Sequence, residues 1–208
     1  MASIFNYDNR VGRYRNTVTG QYVSRDTIMT SLESRMDVGF NQLDGLMTAA
    51  LTPTVNNFDM NDFQRAFLLE LRNQHVQAFV TGAGGRANVT KAMWLDLARS
   101  LKAEYRYARV FMQEIANGTL TEQQIRSRIG MYANSVWNSY HRARKLQATE
   151  QQFNEAKRTT RPGDICDDCK YYESLDWVYI DDLPLPGDGS RCRSNCRCDI
   201  EFRFNPDR

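Results

Sequence analysis

The first 165 residues of this chain contain no cysteine, and only two histidines occur among all 208 residues. Thiol and metal chemistry therefore have almost nothing to work with over most of the sequence. His75 and His141 each stand alone within helical patterns, far in sequence from any cysteine, and read as ordinary helix residues. Long apolar runs are missing too. Nothing approaches the roughly 20 residues that span a bilayer, and the opening MASIFNYDNR lacks the apolar stretch of a signal peptide. The expectation is a chain with no membrane partner, made in a cytoplasm. Ser-His-Asp order, paired carboxylate motifs and H-E-x-x-H are absent, so hydrolysis has no visible candidate and the chain is expected not to be an enzyme. The run Thr81-Gly82-Ala83-Gly84-Gly85 is not followed by Gly-Lys-Ser/Thr, which favours a hinge or sharp loop over a phosphate cradle.

What is present fits a globular chain. A hydrophobic fraction of 41% in 208 residues suffices for one sizeable domain, or a medium one with a small appendage. The formal charge of +2 hides an asymmetry. Residues 1–160 hold 20 Lys+Arg against 14 Asp+Glu, and the remainder 7 against 11, so the two parts carry +6 and −4. A polyanion should prefer the first part.

The periodicity predicts a mainly α fold: a bundle-like body of long amphipathic helices, with a small C-terminal β-ribbon stapled by zinc. Residues 1–25 alternate Tyr14, Val18, Tyr22 and Val23 around Thr19-Gly20, as a hairpin or extended arm does. Such an arm docks onto a partner or packs on its own domain. The helical body is expected over residues 26–160. Ile28, Leu32, Met36, Phe40, Leu43, Met47 and Ala50 recur at helical spacing until Thr52-Pro53, with Gly39 and Gly45 as weak points. A second helix from Asp59 or Asn61 carries Phe63, Phe67, Leu71, Val76 and Phe79. A third, from about Thr90, places Trp94, Leu97, Leu101, Tyr105, Ala108, Met112 and Ile115 on one core stripe and ends at Asn117-Gly118.

A capping-box pattern at Thr121-Glu122-Gln123-Gln124 opens a fourth helix, expected over 121–157 with Ile125, Ile129, Tyr132, Val136 and Tyr140 inward. No acidic residue lies between Gln123 and Thr149. Arg126, Arg128, Arg142, Arg144 and Lys145 thus form the most cationic helical stretch, suited to a phosphate backbone or an acidic protein partner. A solvated face is the plainer meaning of such a run.

Thr159-Thr160-Arg161-Pro162-Gly163 marks a boundary near residue 160, beyond which short-range structure is expected over 161–208. All five cysteines fall in the last 43 residues. Cys166-Asp-Asp-Cys169 has the spacing at which a tight turn points two sulfurs at one ion, and Cys192-Arg-Ser-Asn-Cys196-Arg-Cys198 supplies a second group at zinc-ribbon distance. Four thiolates satisfy tetrahedral zinc. Cys166, Cys169, Cys192 and Cys196 are favoured, with Cys198 as the alternative, because a three-residue gap closes a chelate more comfortably than a single-residue one. Disulfides, or a reduced cluster without metal, are the competing readings. Between the knuckles Trp177, Tyr179 and Leu183 alternate, as do Ile200, Phe202 and Phe204 beyond the stiff turn Leu183-Pro-Leu-Pro-Gly-Asp-Gly189. So small a ribbon has little core and should depend on structural Zn2+. An all-thiolate set leaves no open position for catalysis.

Several of these residues also form a larger pattern. Gly84-Gly85 ahead of a helix, Tyr105-Arg106-Tyr107 through Phe111, Ile115-Ala-Asn-Gly118-Thr-Leu, Arg128 and Met131-Tyr132-Ala133-Asn-Ser135 are followed by Cys166-Asp-Asp-Cys169, Trp177, Leu183-Pro and Asn195-Cys196-Arg-Cys198. Together they resemble the phage head-morphogenesis family, whose members are similar to the F-type minor head protein of Mu-like phages. The resemblance runs from about residue 60 to 204, and its most specific part is the Asn-Cys-Arg-Cys ending after a CxxC and a Trp. It implies a minor virion protein, present in multiple copies near the portal vertex or inside the capsid. Such a protein helps head assembly by binding major capsid, portal or connector proteins, and some members contact packaged DNA. The virion, with the host cytoplasm during assembly, is then the expected location. Many relatives have His where Cys192 stands, which implies a ligand there and leaves the role of Cys198 open. The alternative function is a nucleic-acid-binding module that uses the basic helix 121–157.

Overall fold

The structure, a computed structural model, describes residues 4–8, 11, 13–51, 60–161, 163 and 165–207, and of residues 49–51 the backbone alone. It is mainly α, as the periodicity predicts. Four long helices, α1 (Arg25–Leu51), α2 (Met60–Gly82), α3 (Lys91–Ala116) and α4 (Glu122–Glu150), pack as a bundle with α2 and α4 at its centre. The expected stop at Thr52-Pro53 and the start at Asp59 lie outside the described residues; Asn61 falls one residue inside α2.

The apolar stripes become the core. Leu43, Phe67, Leu71, Phe111 and Ile129 join in one cluster, where the Phe67 and Tyr132 rings meet edge to face at 5.6 Å. Ile28, Leu32, Met36, Ala78, Trp137 and Tyr140 form a second, and Phe79, Met93, Leu97, Leu101 and Ala143 a third. The helix ends follow their local chemistry. Thr90 accepts from the Met93 amide, Thr121 and Gln124 close a reciprocal capping box, and Gly118 turns left-handed after α3. Gly39, expected as a weak point, lies in an unbroken helix, and its missing side chain leaves room for the Gln74 carboxamide of α2.

At the N-terminus β1 (Phe5–Asp8), β2 (Arg13–Asn16) and β3 (Tyr22–Val23) form an antiparallel sheet in that order. Asn16 Oδ1 accepts from the amides of Val18 and Thr19 and so holds the hairpin turn. Of the two roles open to the arm, the structure shows packing on its own domain. Phe5 and Tyr14 lie against Ile28 and Tyr140, and the Tyr7 amide donates to the Gly84 carbonyl at 2.6 Å. The glycine run is the socket: a Cβ on Gly84 or Gly85 would overlap Tyr7 or Asn6.

The sequence-derived end of the fourth helix, toward residue 157, needs correction. α4 stops at Glu150, Gln152 adopts φ 63°, and residues Glu155–Thr159 form a strand, β4. The cause is tertiary. The buried Glu155 carboxylate takes Arg203 at 2.6 Å and the Asn205 amide at 3.1 Å, and Ala156 packs on Ile200. β4 is the central strand between β5 (Val178–Tyr179) and β6 (Asp199–Arg203), all antiparallel. The change from helix to sheet therefore falls at residues 151–154, ahead of residue 160. A further helix, α5 (Asp167–Ser174), interrupts what reads in sequence as ribbon.

Candidate metal centre

Cys166 caps α5 in extended conformation and Cys169 lies one turn inside it, so the CxxC spacing puts both sulfurs on one helical face. The positive end of α5 favours thiolate at this position. Across from it, Cys192 and Cys196 bracket a single 3-10 turn, Arg193–Asn195, and Cys198 immediately precedes β6. Asp168 ties the two sides together, its carboxylate accepting from the Arg191 amide at 2.8 Å.

The sulfurs of Cys166 and Cys192 are 3.5 Å apart, those of Cys169 and Cys192 3.6 Å, and those of Cys169 and Cys196 3.7 Å. Zinc–sulfur bonds of about 2.3 Å arranged tetrahedrally require sulfur–sulfur edges of about 3.8 Å. A disulfide needs about 2.05 Å, and all five cysteines are free thiols. The cluster can therefore hold a metal ion. Its four sequence-favoured members form one continuous chain of close sulfurs. Cys198 is drawn in as well: Cys169, Cys196 and Cys198 make a second triad, wholly buried, that shares Cys169 with the triad of Cys166, Cys169 and Cys192. Although a single residue separates it from Cys196, Cys198 is buried beside Cys196 and Cys169 at the residue before β6 begins. A hydrogen bond from Cys198 holds the Cys196 thiol down to about 5, while the same bond pushes Cys198 up.

Residues outside the cysteine motifs position this centre. Asn134 of α4 donates to Asn195 Oδ1 and accepts from Arg197, both at 2.8 Å. Arg161 reaches Glu33 of α1 at 2.7 Å. Asp199, directly after Cys198, is buried between Arg144 and Arg25, each at 2.7 Å. Burial raises its pKa, but Arg144 and Arg25 outweigh that and bring it down to about 2. No spacing rule in the sequence marks Asp199 or Glu33.

The five cations of α4 do not make a bare surface. Arg126 pairs with Glu122 at 3.2 Å, Arg128 with Glu114, Arg142 with Asp96, Arg144 with Asp199, and Lys145 with Asp181 at 3.3 Å. Arg144 lies between the Tyr140 and Phe202 rings, out of reach of a surface ligand. Apart from Glu122, which is on α4 itself, these acids are supplied by its neighbours. Both histidines are core residues. His75 sits between Ser139, at 2.7 Å, and Ser135, at 3.3 Å, and burial lowers its pKa to about 4. His141 stands 3.8 Å from Asp199, and burial lowers it to about 3. No protein family, curated protein or solved structure matches the chain.

Proposed function

We propose that this chain is a structural minor head protein of a tailed bacteriophage, and that its cysteine cluster holds one structural Zn2+. The observation that carries the proposal is the chain of four neighbouring, half-buried to buried sulfurs with three separations near the tetrahedral edge length. Such a set fills the coordination sphere with protein ligands and fixes shape rather than turning over substrate. Zinc suits it because the ion accepts four thiolates without redox change. The sheet it secures has a small core, built on Ala156, Leu183, Ile200 and a few neighbours.

The assignment to a virion rests on the motif string that ends in Asn195-Cys196-Arg197-Cys198. In this reading the bundle and the metal-stapled sheet present a rigid surface to major capsid, portal or connector proteins, in several copies per particle. Protein mass spectrometry of purified particles and proheads, from the phage that encodes the chain, tests it. The protein is expected in both at a fixed ratio to the portal, and its absence from both would overturn the assignment.

A further inference from the structure

Among the described residues, the longest row of unneutralised positive charge on the bundle lies on α3, not on α4. Leu97, Leu101, Ala108 and Ile115 of α3 face the core. Lys91, Arg99, Lys102, Arg106 and Arg109 are all exposed on the opposite side. At 3.6 residues per turn the five fall within an arc of about 80°, along roughly 27 Å of helix. None has a carboxylate partner among the described residues. The acids of α3 are turned away from this stripe. Asp96 is taken by Arg142 and Glu114 by Arg128, both on α4, and Glu104 is half-buried. The arginines of α4 thus neutralise the carboxylates of α3 and leave its cations bare. Arg86, 5.4 Å over the Trp94 ring, adds charge along the edge nearest α2.

We propose that this face of α3 binds the phosphate backbone of nucleic acid without reading base sequence. Protein interfaces concentrate their contacts in a dry centre depleted in charge, and in lysine especially. The centre of this stripe is arginine and lysine, with Leu95 on its line and the exposed Val110 and Tyr107 on its flank, where Arg106 lies 5.2 Å over the Tyr107 ring. Phosphates need no dry centre. Long unpaired cations in a row displace condensed counterions, and that release supplies the affinity. A single file of charges follows one backbone and offers no forked array to base edges. The inference stands apart from the virion assignment and can fail or survive independently of it.

Fluorescence anisotropy of the full chain with a labelled duplex of about 20 base pairs, from about 50 to about 200 mM salt, provides the test. Five phosphate contacts give log K against log salt a slope near −4.5, at about −0.9 per contact. Arg99→Gln with Arg106→Gln should flatten that slope by about 1.8 and weaken binding at least about tenfold at low salt. Arg99→Lys with Arg106→Lys should keep the slope. The control, Arg65→Gln with Arg126→Gln, removes the same charge from ion-paired positions on α2 and α4 and should change affinity less than about twofold. Circular dichroism confirms that each exposed substitution leaves the helices intact. No binding by the native chain, a flat salt response, or equal losses in the control would overturn the proposal. So would polyglutamate competing as well as the duplex at equal charge, which would point to an acidic protein instead.

Discussion

His75 shows how a residue that looks ordinary in sequence becomes a determinant of stability. Its ring is buried and shared by two serines, and burial lowers its pKa from 6.5 to about 4. Unfolding exposes it and restores the ordinary value, so between those pH values the unfolded chain binds the extra proton. The stabilisation is complete above about pH 6.5 and is lost progressively as pH falls toward 4. Between pH 7 and pH 5 the loss is on the order of 2 kcal/mol. Urea unfolding of native protein and His75→Gln at both pH values should show the native chain losing that much more; parallel losses would contradict the buried neutral ring. Nothing in the sequence announced this burial, because helical periodicity marks apolar positions and is silent on a histidine whose partners come from another helix. Asp199 was illegible for the same reason: its two arginines lie 55 and more positions away.

Among elements, what the sequence shows plainly is whatever depends on neighbours along the chain. The stripes of α1 to α4, the start near Thr90, the Thr121 cap and the Gly118 exit are all local and appear as expected, save that the Ala50 side chain lies outside the described residues. What depends on contact between elements is not legible there. Residues 155–159, Glu-Ala-Lys-Arg-Thr, suit a helix by propensity and became a strand because β5 and β6 pair with them. The acid-free run of α4 suggested a cationic surface, yet α3 supplies the carboxylates that neutralise part of it. Glycines separate the two kinds of information most cleanly. Gly82 lies where α2 crosses α4, and a Cβ there would overlap the Tyr140 carbonyl oxygen, whereas Gly45 on exposed α1 surface has nothing within 4 Å. Gly82→Ala should therefore cost about 1–3 kcal/mol in thermal unfolding, and Gly45→Ala should gain up to about 1 kcal/mol from helix propensity. A neutral Gly82→Ala would mean that the helices do not cross this closely.

The whole molecule is two cores held in register by a polar seam and a sulfur cluster. Among the described residues the bundle has three apolar clusters of its own, while the C-terminal sheet has one small one. Asp199 with Arg25 and Arg144, Asn134 with Asn195 and Arg197, and Glu33 with Arg161 bind the sheet to the bundle. These contacts orient the sheet but add little apolar burial. In the proposed reading a bound ion supplies what that burial does not, because the binding energy of a metal is folding energy for a module of this size. The clustering of the cysteines is legible in the sequence through identity and spacing alone, whereas the approach of the fifth sulfur, Cys198, is not.

Native mass spectrometry of freshly purified, reduced protein, read beside amide exchange before and after chelation, tests that dependence most directly. One zinc per chain is expected, and its removal should leave α1 to α4 protected while residues 155–203 lose protection. Metal-free reduced protein with an equally protected sheet would contradict it.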